Sequence, residues 1–182
     1  MGMNSRKLAI QKAREYLAVR PVFLDTETTG LNPNDEIVEI CVVDHDGNLL
    51  LNTLVKPVRS IPLDAMRIHG ISNEMVKNAP AWPDVWPSVE ATLHGRYIGI
   101  YNAEFDIKMM RQSHRVHGLA WEFPTQRVFD VMKIYADFTE TTRWVSLDTA
   151  GRQCGIALPN SHRAKDDTIL LRAVLLYIAS RS

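Results

Sequence analysis

With 182 residues, 46% of them hydrophobic and 8% aromatic, the chain suits one globular domain and leaves no room for a second of ordinary size. Its 21 basic and 21 acidic side chains cancel, which excludes whole-molecule attraction to a polyanion and confines any such contact to a local patch. Two isolated cysteines, Cys41 and Cys154, exclude a disulfide framework or a cysteine zinc site.

The N-terminus is basic, but Lys12, Arg14 and Glu15 interrupt any apolar core of a secretory leader, so a reducing, cytoplasmic location is expected. Met1-Gly2 before a second methionine at position 3 reads as an added segment and stays outside the fold reasoning. The longest apolar stretch, Ile169 to Ala179, contains Arg172 and falls short of the ~20 residues that cross a bilayer, so no membrane segment is expected.

In chain order, residues 4 to 18 read as a peripheral helix belonging to the same domain, ended by Arg20-Pro21, where proline disfavours helical backbone at the preceding residue. The domain proper is expected over 21–182. Strand-like runs follow at Val22 to Glu27, Ile37 to Asp44 and Leu49 to Val55, joined by Gly/Asn/Pro turns short enough only for an antiparallel meander. Helices are predicted near 64–68, after Ser72 and over Trp82 to Leu93, then a strand at Tyr97 to Tyr101 and a helix from Glu104 to His117. A short strand at Arg127 to Phe129 precedes helices after Asp130, after Ser146 and over Ala164 to Ala179. The expected fold is α/β: a mixed sheet, three antiparallel strands then parallel ones, flanked by helices.

Three separated stretches carry chemistry. In FLDTETTGL, Asp25 and Glu27 are two apart on a strand and share a face, so both carboxylates can reach one cation; a lone pair of this kind is common on surface strands. In YNAEFD, Asn102 is placed to cap a helix and Asp106 falls in its first turn, where the macrodipole alone would favour an acid. In HRAKDDT, residues five apart on a helix differ by about 140°, so His162 must precede the helix if it is to face the same way as Asp167. Asp167 shares the apolar face of Leu171, Val174 and Ile178, and its neighbour Asp166 is expected in solvent. Lys108, Arg111 and Arg115, interleaved with His114 and His117, read either as a phosphate-tracking stretch or as a solvated helix face. Trp82, Trp86, Trp121 and Trp144 are expected as core or loop anchors.

Together these segments resemble the DEDDh 3′-to-5′ exonucleases, the DnaQ-like group that includes proofreading subunits, ribonuclease T and oligoribonuclease. FLDTETTGL, NAEFD and HRAKDD match its three motifs, and IHGIS (68–72), VFDVMKI (128–134) and VSLDTAGRQCGIAL (145–158) extend the likeness from about Pro21 to the C-terminus. Tyr101 and Thr168 depart from it, standing where the family usually has His and commonly has Ala. The resemblance implies a ribonuclease H-like fold and hydrolysis with two divalent cations, Mg²⁺ or Mn²⁺, as an all-oxygen ligand set favours. It implies that Asp25, Glu27 and Asp167 hold the cation activating water, that Asp25 and Asp106 hold the other, and that neutral His162 accepts the water's proton.

It further implies terminal-nucleotide contacts at Thr28, His69, Asn102 and Phe105, a single-stranded 3′ end as substrate with DNA ahead of RNA, and a possible DNA polymerase partner. Three alternatives remain at this point. They are oligoribonuclease- or ribonuclease T-like RNA trimming, a haloacid-dehalogenase-like phosphatase imitated by LDTETT and Lys165-Asp166-Asp167, and a non-catalytic polymerase-associated module.

Overall fold

The computed structural model describes residues 5–156 and 162–182; Asn4, where the first helix is expected to start, and Ala157-Leu158, at the end of the VSLDTAGRQCGIAL likeness, lie outside them. The elements are α1 (Ser5–Ala18), β1 (Val22–Thr28), β2 (Ile37–Val43), β3 (Leu49–Leu54), α2 (Leu63–His69), α3 (Asn73–Val76), α4 (Trp82–Leu93), β4 (Ile98–Ile100), α5 (Ala103–Val116), β5 (Val128–Asp130), α6 (Val131–Thr139), α7 (Leu147–Gln153) and α8 (Ala164–Ala179). The sheet order is β3-β2-β1-β4-β5, with β1, β2 and β3 antiparallel and β1, β4 and β5 parallel. The C-terminal ends of the three parallel strands therefore lie at one edge of the molecule.

Alternation along β1 sorts its side chains between two cores. Phe23 joins residues of α1, α6 and α8, whereas Val22 and Leu24 join residues of α4 and α5. Asp25 and Glu27 share the parity of Phe23 and so face the α8 layer. The first helix contributes fully buried Ala9 and Ala13 to that layer. At Gly99 an added Cβ would stand 2.7 Å from the Phe129 ring and 2.8 Å from Phe23, so only glycine lets β4 lie under both rings.

Two local expectations are corrected. Asn102 sits at the N-cap of α5 in left-handed backbone (φ 63°) but makes no side-chain capping bond. Asp130, at the end of the neighbouring strand, accepts the Asn102 N–H (3.1 Å) and the Ala103 N–H (3.2 Å), and also caps α6 through the Met132 N–H (2.9 Å). The α6 cap is local, but parallel pairing of β4 and β5 brings the same carboxylate to the start of α5, which local sequence cannot reveal.

Within the stretch from 108 to 117, Lys108, Arg111 and Arg115 are exposed, as either reading of it expects, while its other face clamps the loop after β1. Gln112 donates to the Asn32 and Asp35 carbonyls (3.1 and 3.0 Å), Ser113 Oγ accepts the Ile37 N–H (3.1 Å), and Arg115 donates to the Pro33 carbonyl. His114 is buried edge-on among Trp82, Trp86 and Trp121. Trp144 departs from its expected anchoring role, being 60% exposed in the α6–α7 connection, where Tyr101 Oη holds the adjacent Val145 carbonyl at 2.9 Å.

Candidate metal centre

Strand β1 delivers Asp25 and Glu27, and the first turn of α8 delivers Asp167 from the facing layer. One carboxylate oxygen from each lies within 4.8 Å of the others. Asp106, 2% exposed, approaches from α5 on the opposite side of β1, where it accepts a 2.7 Å hydrogen bond from Thr26 Oγ1. It stands outside the three-carboxylate group but close enough for its charge to be felt at Asp25.

Burial, then repulsion from Asp106, Glu27 and Asp167, holds Asp25 well above the usual carboxylate range. Burial raises Glu27 to about 8, with Asp167 and Glu39 adding to the effect. Asp106 is pushed up to about 7 by burial, against the Thr26 hydrogen bond, and Asp167 to about 6 by burial, against the pull of His162. Such a group repels itself when ionised, and a cation placed among the oxygens removes that penalty.

His162 precedes α8, exposed to solvent, in left-handed backbone (φ 69°), and its N–H donates to Asp167 Oδ2 at 3.2 Å. Asp166 is half-buried rather than fully in solvent, and outside the cluster. Thr168 is buried and donates to the Ala164 carbonyl one turn back, which satisfies the hydroxyl that replaces the family's smaller residue.

The remaining predicted residues sit around the end of β1. Thr28 is buried and donates to the Gly30 carbonyl (2.9 Å). His69 is only 4% exposed: its Nδ1 accepts the Ile71 N–H (3.0 Å), so Nε2 carries the proton donated to the Thr28 carbonyl (3.2 Å). Burial lowers the pKa of this ring and favours its neutral form. It supports the end of β1 from behind rather than offering a face to solvent. Phe105 is half-buried against the α4–α5 core, and Asn102 is exposed at the start of α5.

Sequence reasoning missed Thr26, Glu39, Asp130 and Arg163. Glu39 carried a usable signal, a lone acid inside the apolar run IVEICVV, all of it buried. A cavity of about 740 Å³ runs along β5 between α5 and α6, lined in part by Tyr16, Lys108 and Lys133 and by no carboxylate of the cluster. The centre is instead at the strand ends.

The family described as "Exonuclease" (RNase_T) matches residues 22–175. "Uncharacterized exonuclease CP81" of Escherichia phage 186 is 37% identical over 168 residues, covering 86% of this chain and 87% of its own length. The "DNA polymerase III PolC-type" of Thermotoga maritima is 35% identical over 160 residues, covering 85% of this chain, which spans only 11% of that protein. Among solved structures, "Exonuclease X in complex with 5′ overhanging duplex DNA" superposes with a TM-score of 0.67 at 30% identity, covering 86% of this chain and 89% of that one. The nuclease domain of 3′hExo, described as a DEDDh family member bound to rAMP, gives 0.74 at 18% identity over 86% and 89% and speaks to the fold alone. Sheet order, acidic cluster and these relatives agree: the chain belongs to the DnaQ-like, DEDDh family of exonucleases, nucleases of ribonuclease H-like fold.

Proposed function

We propose that the protein is a 3′-to-5′ exonuclease that hydrolyses phosphodiester bonds at a free 3′ end and releases nucleoside 5′-monophosphates. The observation that carries this is the convergence of Asp25, Glu27 and Asp167 within 4.8 Å, with Asp106 behind them and His162 hydrogen-bonded to Asp167 through its N–H. Their all-oxygen donor set suits Mg²⁺ or Mn²⁺ rather than Zn²⁺.

Asp25, Glu27 and Asp167 would hold one divalent cation, and Asp25 with Asp106 the second. When bound, the pair supplies an activated nucleophile and charge stabilisation at the leaving oxygen. His162, exposed beside Asp167, accepts the proton of the attacking water. Thr28, Asn102 and Phe105 would bound the terminal nucleotides, with His69 fixing the backbone at Thr28.

DNA is the favoured substrate, since Exonuclease X was solved with duplex DNA and the PolC-type relative is a DNA polymerase. That polymerase likeness also motivates a polymerase partner. Helix α1 belongs to the same domain, because Ala9, Ile10 and Ala13 are part of its core. Among the described residues no helix is long and apolar enough to cross a membrane, and the lack of paired cysteines supports a cytoplasmic site of action.

The test is degradation of 5′-labelled and 3′-labelled single-stranded DNA and RNA with Mg²⁺, with Mn²⁺ and with chelator. Stepwise shortening of the 5′-labelled strand and immediate mononucleotide release from the 3′-labelled one are expected, both abolished by chelator. Release of label from the 5′ end first would overturn the polarity. Hydrolysis of a phosphate monoester with the diester untouched would favour the phosphatase.

A further inference from the structure

We propose that the Glu39–Arg163 ion pair is a positioning latch that sets the start of α8, and with it Asp167 and His162, against the carboxylates of β1. Glu39 is 2% exposed in β2 and lies directly across the strand pair from Glu27. Two carboxylates so placed repel each other, and a buried charge without partners is costly. Every polar contact recorded for Glu39 goes to one place. Arg163 Nε donates to Oε2 (3.0 Å), Arg163 Nη2 donates to Oε1 (2.6 Å), and the Ala164 N–H donates to Oε2 (3.1 Å).

This forked arrangement fixes orientation as well as distance, which a point charge cannot do. It also substitutes for a missing cap. Arg163 occupies the N-cap of α8 without a side-chain capping bond, so an acid from a distant strand takes up the Ala164 N–H at the positive end of the helix.

Arg163 is bonded to both flanking site residues. His162 precedes it directly, in left-handed backbone that a β-carbon disfavours, and the Asp167 N–H donates to the Arg163 carbonyl at 3.0 Å. Anchoring Arg163 to β2 thus fixes the height of Asp167 over Asp25 and Glu27 and the direction in which His162 leaves the helix. Both Glu39 oxygens accept from these donors and Glu39 lies outside the group of Asp25, Glu27 and Asp167, so it is a support for the ligand set and not a further member of it.

The inference rests on the nuclease reading for its catalytic consequence but not for its effect on metal binding, and the two are measured separately. In Glu39→Gln the side chain keeps its shape, loses its charge and turns an amide N–H toward the guanidinium. Supporting contacts of this kind typically change metal affinity or activity by about 10–100-fold. Expected are Mn²⁺ binding weakened by about 10-fold, kcat lowered by about 10–100-fold and KM within about threefold, in protein whose metal-free melting temperature shows it folded. Arg163→Lys, which keeps the charge but not the fork, should lower both quantities as well, and Glu39→Gln/Arg163→Gln should be no worse than Glu39→Gln alone.

Wild-type Mn²⁺ affinity and kcat in folded Glu39→Gln would overturn the latch, as would full activity in Arg163→Lys. Should Glu39→Gln fail to fold, Arg163→Lys carries the same test. If wild type cleaves neither DNA nor RNA, the nuclease reading falls, and the Mn²⁺ titrations still decide the latch.

Discussion

At the scale of single residues, Asp25 is where the two demands on the site meet. It is half-buried among carboxylates that repel it, and it is placed to reach both proposed cations. Asp25→Asn is expected to abolish hydrolysis and at the same time to raise the melting temperature of metal-free protein, because one repelling charge leaves a buried group. A gain of about 1 kcal/mol moves the midpoint of a chain this size by about 2–4 °C. Normal turnover by the variant, or a lower midpoint in chelator, would contradict the assignment. His162→Ala separates proton transfer from metal binding. It should lower kcat by about 10²–10⁴-fold and remove the rise of rate between pH 5 and 8, with Mn²⁺ affinity little changed. A mutant that keeps both rate and profile would leave the imidazole without a task.

At the scale of elements, Asp130 ties the starts of α5 and α6 to the ends of β4 and β5. Losing caps at two helices through Asp130→Ala should cost about 2 kcal/mol and roughly 4–8 °C, and should reduce activity through Asp106 in the first turn of α5. Asn102→Gly should be close to neutral in melting temperature, since Asn102 donates no cap and glycine accepts φ 63° readily. The contrast reverses what local sequence suggests. Elements set by periodicity and punctuation were legible: Trp82–Leu93 and Ala164–Ala179 have the bounds their apolar spacing predicts, and His162 precedes α8 as the five-residue step demands. Local caps at Ser72, Asp130 and Ser146 stand where helices are predicted to begin, but the acids that serve the starts of α5 and α8 depend on tertiary pairing. Asp130 reaches Asn102 across 28 positions and Glu39 reaches Arg163 across 124, so neither partnership leaves a mark within one window of sequence. The grip of Gln112 and Arg115 on the carbonyls of Asn32, Asp35 and Pro33 is hidden for the same reason, because that loop lies far back in the chain.

For the whole molecule, the cluster should invert the usual dependence of stability on pH. A carboxylate held by a salt bridge has a lowered pKa and strengthens the fold as pH rises; here Asp25, Glu27, Asp106 and Asp167 are all raised above the ordinary carboxylate range, to about 8 for Glu27, about 7 for Asp106 and about 6 for Asp167. The folded state then holds more protons than the unfolded chain between about pH 4 and pH 8, so stability must fall as pH climbs through that interval. Burial lowers His69 and His114, which acts in the opposite direction below about pH 6.5, where the unfolded imidazoles are protonated and the buried ones are not. Between about pH 6.5 and 8 the carboxylates act without that offset. Melting temperatures in chelator are therefore expected to drop steadily across this window, most of the drop disappearing in Asp25→Asn. A divalent cation at about 100 times its dissociation constant adds about 2.7 kcal/mol, or roughly 5–10 °C, and its effect should grow with pH as the ligands lose protons. Melts at half-unit steps with chelator, Mg²⁺ and Mn²⁺ measure all of this; a midpoint in chelator that rises toward pH 8, or a cation effect independent of pH, would mean that these carboxylates do not share one site.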